Sequence, residues 1–220
     1  MHIVLCAIHD SLATAFEHAF RDLPHVTVHR GDILALDADA LVSPANSFGW
    51  MDGGIDLHYR HRFGIDIERR AMEAAAHEPD CELAVGDAVV LPTGDARIPH
   101  LIMAPTMRFP QPVPASDNAY RAFSAALIAA QQNGFERILA PGMCTGAGRM
   151  PPYQAALQMA RAYRELFIPP SVGSPHQGSG DVLRAGRHDI RLGTSFASRH
   201  VQTIRTTLVS VHARPLAQHS

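Results

Sequence analysis

One feature constrains this chain more than any other: short apolar runs alternate with longer stretches at helical spacing from residue 3 to residue 167. Residues 3–7 (Ile-Val-Leu-Cys-Ala) read as a buried strand. Ser11 can cap a helix that carries Leu12, Ala15, Phe16, Ala19 and Phe20 on one face and runs to Leu23, where Pro24 stops it. Residues 26–29 and 40–43 predict two further strands. A helix is expected from near Ile55 to about His77, broken at Gly64. Strands follow at 87–91 and 100–104. Asp117 or Asn118 opens a helix over 119–132 that Asn133-Gly134 ends. A strand at 137–140 and a helix at 153–166, opened by Pro151-Pro152, complete the series. This alternation specifies an α/β protein with helices on both faces of a largely parallel sheet. Ligands of such sheets bind outside the carboxyl ends of the strands. The informative segments are therefore 31–32, 44–56, 104–110 and 141–151.

Composition narrows the setting. No stretch of the 220 residues reaches the ~18–20 apolar residues of a membrane-spanning helix. The first residues lack the basic region and cleavage site of a secretory signal. Cys6, Cys81 and Cys144 are odd in number and far apart, so they suggest neither a disulfide framework nor a zinc site, and a reducing cytoplasm is expected. The histidine pairs His25/His29 and His58/His61 lack an acid or cysteine to complete a metal set, and neither metal nor cofactor is expected. Net charge is −2 but uneven. Residues 1–170 carry thirteen arginines against nineteen acids, and residues 171–220 six against two. The change falls on the proline- and serine-rich stretch 168–175, so a domain over 1–170 is expected to be followed by a basic, flexible tail over 171–220. Within the tail, the alternation at 201–211 is compatible with one added strand. The acidic main domain argues against general nucleic-acid binding. The chain contains no lysine.

Two of the segments that follow strands are rich in glycine. The first, residues 43–56, holds Gly49, Gly53 and Gly54 and opens a helix. The second, residues 141–151, holds Gly142, Gly146 and Gly148 and also precedes a helix. Free N–H groups at such a helix start suit phosphate, and two such loops suit one anionic ligand held from two sides. Neither loop is a dinucleotide fingerprint, and a P-loop needs a lysine. No G-x-S-x-G elbow surrounds Ser47 or Ser195. Cys144 stands near a helix start, where it is either an activated thiol or a small loop residue. Arg108 is either a phosphate contact or a surface arginine.

These residues resemble the macro domain, an ADP-ribose-binding family. The matching positions are Gly31-Asp32-Ile33, then Asp39-Ala40-Leu41-Val42 leading to Ala45-Asn46, then Gly53-Gly54-Ile55-Asp56, and last Thr145, Gly146, Ala147 and Gly148. Asn46 and Asp56 have the ten-residue spacing of the asparagine and aspartate in the ADP-ribosyl hydrolases of the family. Residues 42–49 together with 104–110 look like a bacterial branch of it. The resemblance covers residues 1–167 and implies a three-layer α/β/α sandwich with a mixed central sheet whose first strand is antiparallel.

The resemblance also implies roles. Asp32, with Ile33 beside it, would take the adenine amine; its plain alternative is a helix cap. Gly53, Gly54, Ile55 and residues 145–148 would cradle the phosphates. Asn46 would bond the distal ribose, unless it is an ordinary loop asparagine. Asp56 would orient that ribose or activate water, and the same position suits a carboxylate that only caps the helix dipole. The family often has asparagine where Ser43 stands, and Phe48, Trp50 and Met51 add bulk near the distal ribose. The implied function is binding of ADP-ribose or ADP-ribosylated macromolecules, with hydrolysis of an ADP-ribosyl or O-acetyl-ADP-ribose bond. A non-catalytic reader is the alternative, and nucleic acid is expected only as a modified substrate. Because no matched motif lies beyond residue 170, a chain ending near residue 171 should fold and bind ADP-ribose within tenfold of the full chain's affinity. Calorimetry on both lengths checks this, and an insoluble short form would move the boundary.

Overall fold

A computed structural model describes residues 1–168. Six strands, β1 (His2–Ala7), β2 (Val26–Arg30), β3 (Ala40–Ser43), β4 (Val89–Pro92), β5 (His100–Met103) and β6 (Arg137–Ala140), form one sheet in the order β2-β1-β6-β3-β5-β4. Its helices are α1 (Asp10–Ala19), α2 (Gly54–Phe63), α3 (Ile65–Ala76), α4 (Asn118–Gln132) and α5 (Pro152–Phe167), with a 3₁₀ turn over Ile33–Ala35.

The strands are buried on both sides, and alternate residues serve different layers. Ile3, Leu5, Ala40, Val42, Ile102 and Ile138 face a core filled by Phe16 of α1, Phe123 and Leu127 of α4, and Met159 and Tyr163 of α5. Val4, Cys6, Leu41, Leu101, Met103 and Leu139 face a second core with Tyr59 of α2 and Ile67 and Ala71 of α3. The result is three layers, α/β/α. Each fully buried Leu, Ile or Phe contributes about 1.5–3 kcal/mol. Asp39 ties the centre of the sheet: one carboxylate oxygen accepts the N–H groups of Glu136 and Arg137, each at 2.8 Å, just where β6 starts beside β3. No helix among the described residues is long and apolar enough to cross a membrane.

The sheet is mixed, but the odd strand is not the expected one. β1 runs parallel to both β2 and β6, which corrects the expectation of an antiparallel first strand. The reason is the connection. α1 lies between β1 and β2, and a strand–helix–strand crossover returns the chain in the same direction. The antiparallel strand is β4, paired with β5 in the register Val89 to Met103. Only residues 93–99 join these two, too few for a crossover.

Helix limits differ in detail. α1 starts at Asp10 rather than after Ser11, because the His9 carbonyl accepts the N–H groups of Leu12 and Ala13. It closes at Phe20 rather than Leu23. The break at Gly64 is present: its φ of 87° separates α2 from α3.

Gly49 is the glycine on which packing depends. Its φ is +75°, and a Cβ there would lie 2.6 Å from the carbonyl carbon of Ala71 in α3. Gly146 has open space around it and no such φ. Gly49→Ala should therefore destabilise the fold by about 2–3 kcal/mol, lowering Tm by roughly 5–10 °C. Gly146→Ala should move it by less than about 2 °C in the same thermal melt. Equal shifts would contradict the close seating of the Gly49 loop on α3.

Candidate functional site

β1, β6, β3 and β5 stand side by side at the centre of the sheet and point the same way, so the segments that follow them meet at one edge. There they enclose a cavity of about 260 Å³, near the lower end of the ~300–1,000 Å³ of small-molecule sites.

The segment after β3 builds one wall. Thr106, following β5, donates its hydroxyl to the Pro44 carbonyl at 3.0 Å and fixes the two strand exits together. The side chain of Asn46 then organises the turn. Its Oδ1 accepts the N–H groups of Phe48 at 3.0 Å and Trp50 at 3.3 Å, and its Nδ2 donates to the Trp50 carbonyl at 2.8 Å. The Met51 N–H donates to Glu68 at 2.8 Å, and Glu68 is itself paired with Arg60 at 3.1 Å. Gly53 is the N-cap of α2 and supplies no side-chain cap; Gly54, with φ +58°, begins the helix. The first N–H groups of α2 therefore have no acceptor within the helix.

The segment after β6 builds a second wall. Its tight path places Cys144 and Arg149 at positive φ and brings Gly148 against the Cys144 carbonyl, where a Cβ would come within 2.5 Å. The turn is closed by Met150 N–H to Cys144 and by Thr145 Oγ1 to the Gly142 carbonyl. Among the described residues, the N–H groups of Thr145, Gly146, Ala147 and Gly148 donate to no other residue, and neither do those of Gly53, Gly54, Ile55 and Asp56. All eight of these residues line the cavity.

Asp56 sits in the first turn of α2, 7% exposed, and accepts a 2.7 Å hydrogen bond from Ser43 Oγ. Burial pushes its carboxyl up to about 7, and the Ser43 bond opposes part of that rise. A carboxyl in that range exchanges a proton readily near neutrality. The two cysteines at the cavity go the other way: burial pushes Cys6 and Cys144 up to about 12, so neither is a thiolate, and Cys144 is the small loop residue of its two alternatives.

Of the residues singled out from sequence, Asn46 lines this cavity together with those eight. Asp32 and Ile33 do not. Ile33 is buried in the second core, and Asp32 is exposed and caps the 3₁₀ turn by accepting the Leu34 N–H at 2.9 Å. Asp52 is exposed at the cavity's margin. Arg108 lies outside the lining and donates Nε–H to Glu82 at 2.6 Å, as a surface arginine does. Sequence reasoning missed Ile8, His9 and Leu12, which form the wall after β1. The rule that sites follow strands points at this segment too, but it contains no glycine to draw notice.

Comparison with other proteins agrees with this architecture. The family model described as "Macro domain" matches residues 42–159. An uncharacterized protein of Aquifex aeolicus is 36% identical over 141 residues, 64% of this chain and 82% of that protein. One from Aeropyrum pernix is 34% identical over 137 residues, 62% of this chain and 69% of that protein. Among solved structures, the macrodomain of Mycobacterium tuberculosis DarG superposes with a TM-score of 0.56 at 21% identity, covering 64% of this chain and 90% of that one. The Oceanobacillus iheyensis macrodomain, solved with ADP, gives 0.54 at 18% identity, covering 61% and 72%. The family match runs from β3 into α5 and so takes in both glycine-rich walls of the cavity, and by that match this chain belongs to the macro domain family.

Proposed function

We propose that this protein binds ADP-ribose, free or attached to a macromolecule, and hydrolyses the bond at its distal ribose. The observation that carries the reading is the pair of segments with unpartnered N–H groups, residues 53–56 and 145–148, both lining one cavity beside a buried carboxyl. Two rows of donors, one at a helix start, match a diphosphate.

Strand order supports an orientation. Asp32 follows β2, the N–H row of residues 145–148 follows β6, and Asn46 and Asp56 follow β3. β2 and β3 are three strand spacings apart in this sheet, about 14 Å, a span suited to an extended nucleotide. Adenine lies towards Asp32 and Ile33, which follow β2, the strand paired with β1, whose Cys6 lines the cavity. The diphosphate lies between the glycine walls, and the distal ribose beside Asp56. Asn46 has one N–H left for a ribose hydroxyl. Asp56, as a carboxylate, accepts a proton from water attacking the anomeric carbon or an ester carbonyl. Without lysine in the chain, no lysine adduct forms. That all but one N–H of the Asn46 amide is taken up by its own turn favours the second reading, a non-catalytic reader, if turnover is absent while binding is intact.

Titration with ADP-ribose tests binding. Asp32→Ala should weaken ADP-ribose about tenfold, as the loss of a charged acceptor costs about 1.5–3 kcal/mol, and should leave ribose-5-phosphate unaffected. Equal losses for both ligands would remove Asp32 from the adenine site.

Turnover on ADP-ribosylated protein, ADP-ribosylated DNA and O-acetyl-ADP-ribose tests catalysis. Asp56→Ala should lower turnover by about 10²–10⁴ with less than about tenfold change in ADP-ribose affinity. The base must be ionised, so kcat/KM should rise with pH and level off above about 7, the value for Asp56 in the free protein. A profile flat through neutrality, full activity in Asp56→Ala, or a covalent ADP-ribosyl adduct in the mass spectrum would rule out water activation by Asp56.

A further inference from the structure

The wall after β1 differs from the two glycine-rich walls in what it brings to the cavity. Among the described residues that line it, His9 is the one able to carry a positive charge, and Asp52 and Asp56 are the two acids. Both acids belong to the segment after β3, whereas His9 follows β1 directly. His9 is exposed, and its ring makes no hydrogen bond or ion pair among the described residues. Several other histidines are engaged. His2 bonds to Thr27, His77 to the Glu73 carbonyl and His100 to the Asp39 carbonyl, while His18 packs on Tyr153.

The ring stands on a fixed backbone. His9 is extended, with φ −95° and ψ 132°, and its carbonyl accepts the N–H groups of Leu12 and Ala13 as α1 begins. Asp10 beside it is paired at 2.6 Å with Arg30, the last residue of β2. Leu12 is seated against the loop that follows β6: a Cβ on Gly142 would lie 2.8 Å from Leu12 Cδ2 and 2.6 Å from Thr145 Oγ1. The start of α1 is thus fastened to the exit of β2 on one side and lies against residues 142–145 on the other. Sheet order agrees. β1 lies between β2 and β6, and β3 stands two strand spacings from β1, about 10 Å. The place of His9 is therefore between the exit of β2, which carries Asp32, and the N–H groups of residues 145–148, on the side of the cavity away from Asp56.

We propose that His9 is a ligand-binding residue of this cavity, whose imidazole donates an N–H to the phosphate on the adenosine side of the diphosphate. The proposal rests on the ADP-ribose reading of the cavity. Imidazole carries an N–H donor in either protonation state, and the protonated ring makes the stronger, charge-assisted bond. Backbone N–H groups bring dipoles and no net charge. Among the described lining residues, the imidazole is thus the one group that can offset the charge of the ligand. His9 also precedes residues 42–159, the span of the family match, so the contact is an addition made by the first strand and its exit.

Three ligands are titrated by calorimetry into the full chain: ADP-ribose, AMP and ribose-5-phosphate. His9→Ala is expected to weaken ADP-ribose and AMP about tenfold, the loss of one charge-assisted bond, and ribose-5-phosphate by less than about threefold. His9→Arg, which keeps a charged donor, should recover most of the loss. His9→Phe, which keeps a ring without a donor, should not. Unchanged ADP-ribose affinity in His9→Ala overturns the proposal. So does full affinity in His9→Phe, which would assign the ring to packing against the base. An equal loss for ribose-5-phosphate would move the contact to the distal phosphate and overturns it as well. The unsubstituted chain gives a second answer that no variant can obscure: AMP at saturation should shift the imidazole NMR signals of His9, and signals left in place overturn the proposal. Binding of ADP-ribose without any part for His9 overturns this proposal alone. Failure of the unsubstituted chain to bind ADP-ribose overturns the reading of the cavity, and this proposal with it.

Discussion

Burial of the sheet on both faces is the constraint from which the site follows. A strand that buries Ile3 and Leu5 on one side and Val4 and Cys6 on the other needs helices above and below, and the chain reaches them by crossovers that keep β1, β2, β3, β5 and β6 parallel. Parallel strands end at one edge. The connections there leave the sheet, those after β3 and β5 bonding to each other for a few residues more, and a crevice remains between them. Their unpaired N–H groups are what a turn into a helix start leaves over. The cavity is thus a by-product of the packing, lined by glycines that keep side chains out of it.

Much of this was legible before any coordinates. The strand residues of both cores announced themselves as short apolar runs, Gly64 marked the break between α2 and α3, and the two glycine segments pointed at the cavity walls. The strand–helix alternation pointed to a largely parallel sheet, but which strand runs against the others was not legible from the strands' own residues; β1 and β4 show this from opposite sides. Hydrogen-bond partners were not legible either. Asn46 stands at the cavity as its motif implies, yet its amide is spent largely on Phe48 and Trp50. Asp32 spends one oxygen on the turn that begins at Ile33. A motif specifies residue types at a spacing; which groups stay free depends on local turns that many sequences can make.

Asn46 consequently joins two parts of the site that would otherwise be independent. Asn46 borders the cavity, and its amide holds the turn that carries Phe48 and Trp50. Ser43 does comparable service for Asp56, since a hydroxyl at the end of β3 orients the carboxyl without adding charge. In both pairs a strand-end residue governs the geometry of a group further along the chain, and the sheet passes its rigidity to the loops in this way.

Asp56 occupies the first turn of α2, where residues with unpaired N–H groups also line the cavity. With its carboxyl near 7, this residue is close to half-protonated in neutral solution. An anion settling on the same helix start would raise its proton affinity further, since two negative charges at one place oppose each other. Ligand and proton are then thermodynamically linked: each favours uptake of the other, by the same factor. Association with a diphosphate near neutral pH would draw protons from the buffer, and its apparent enthalpy would vary with the ionisation heat of the buffer chosen.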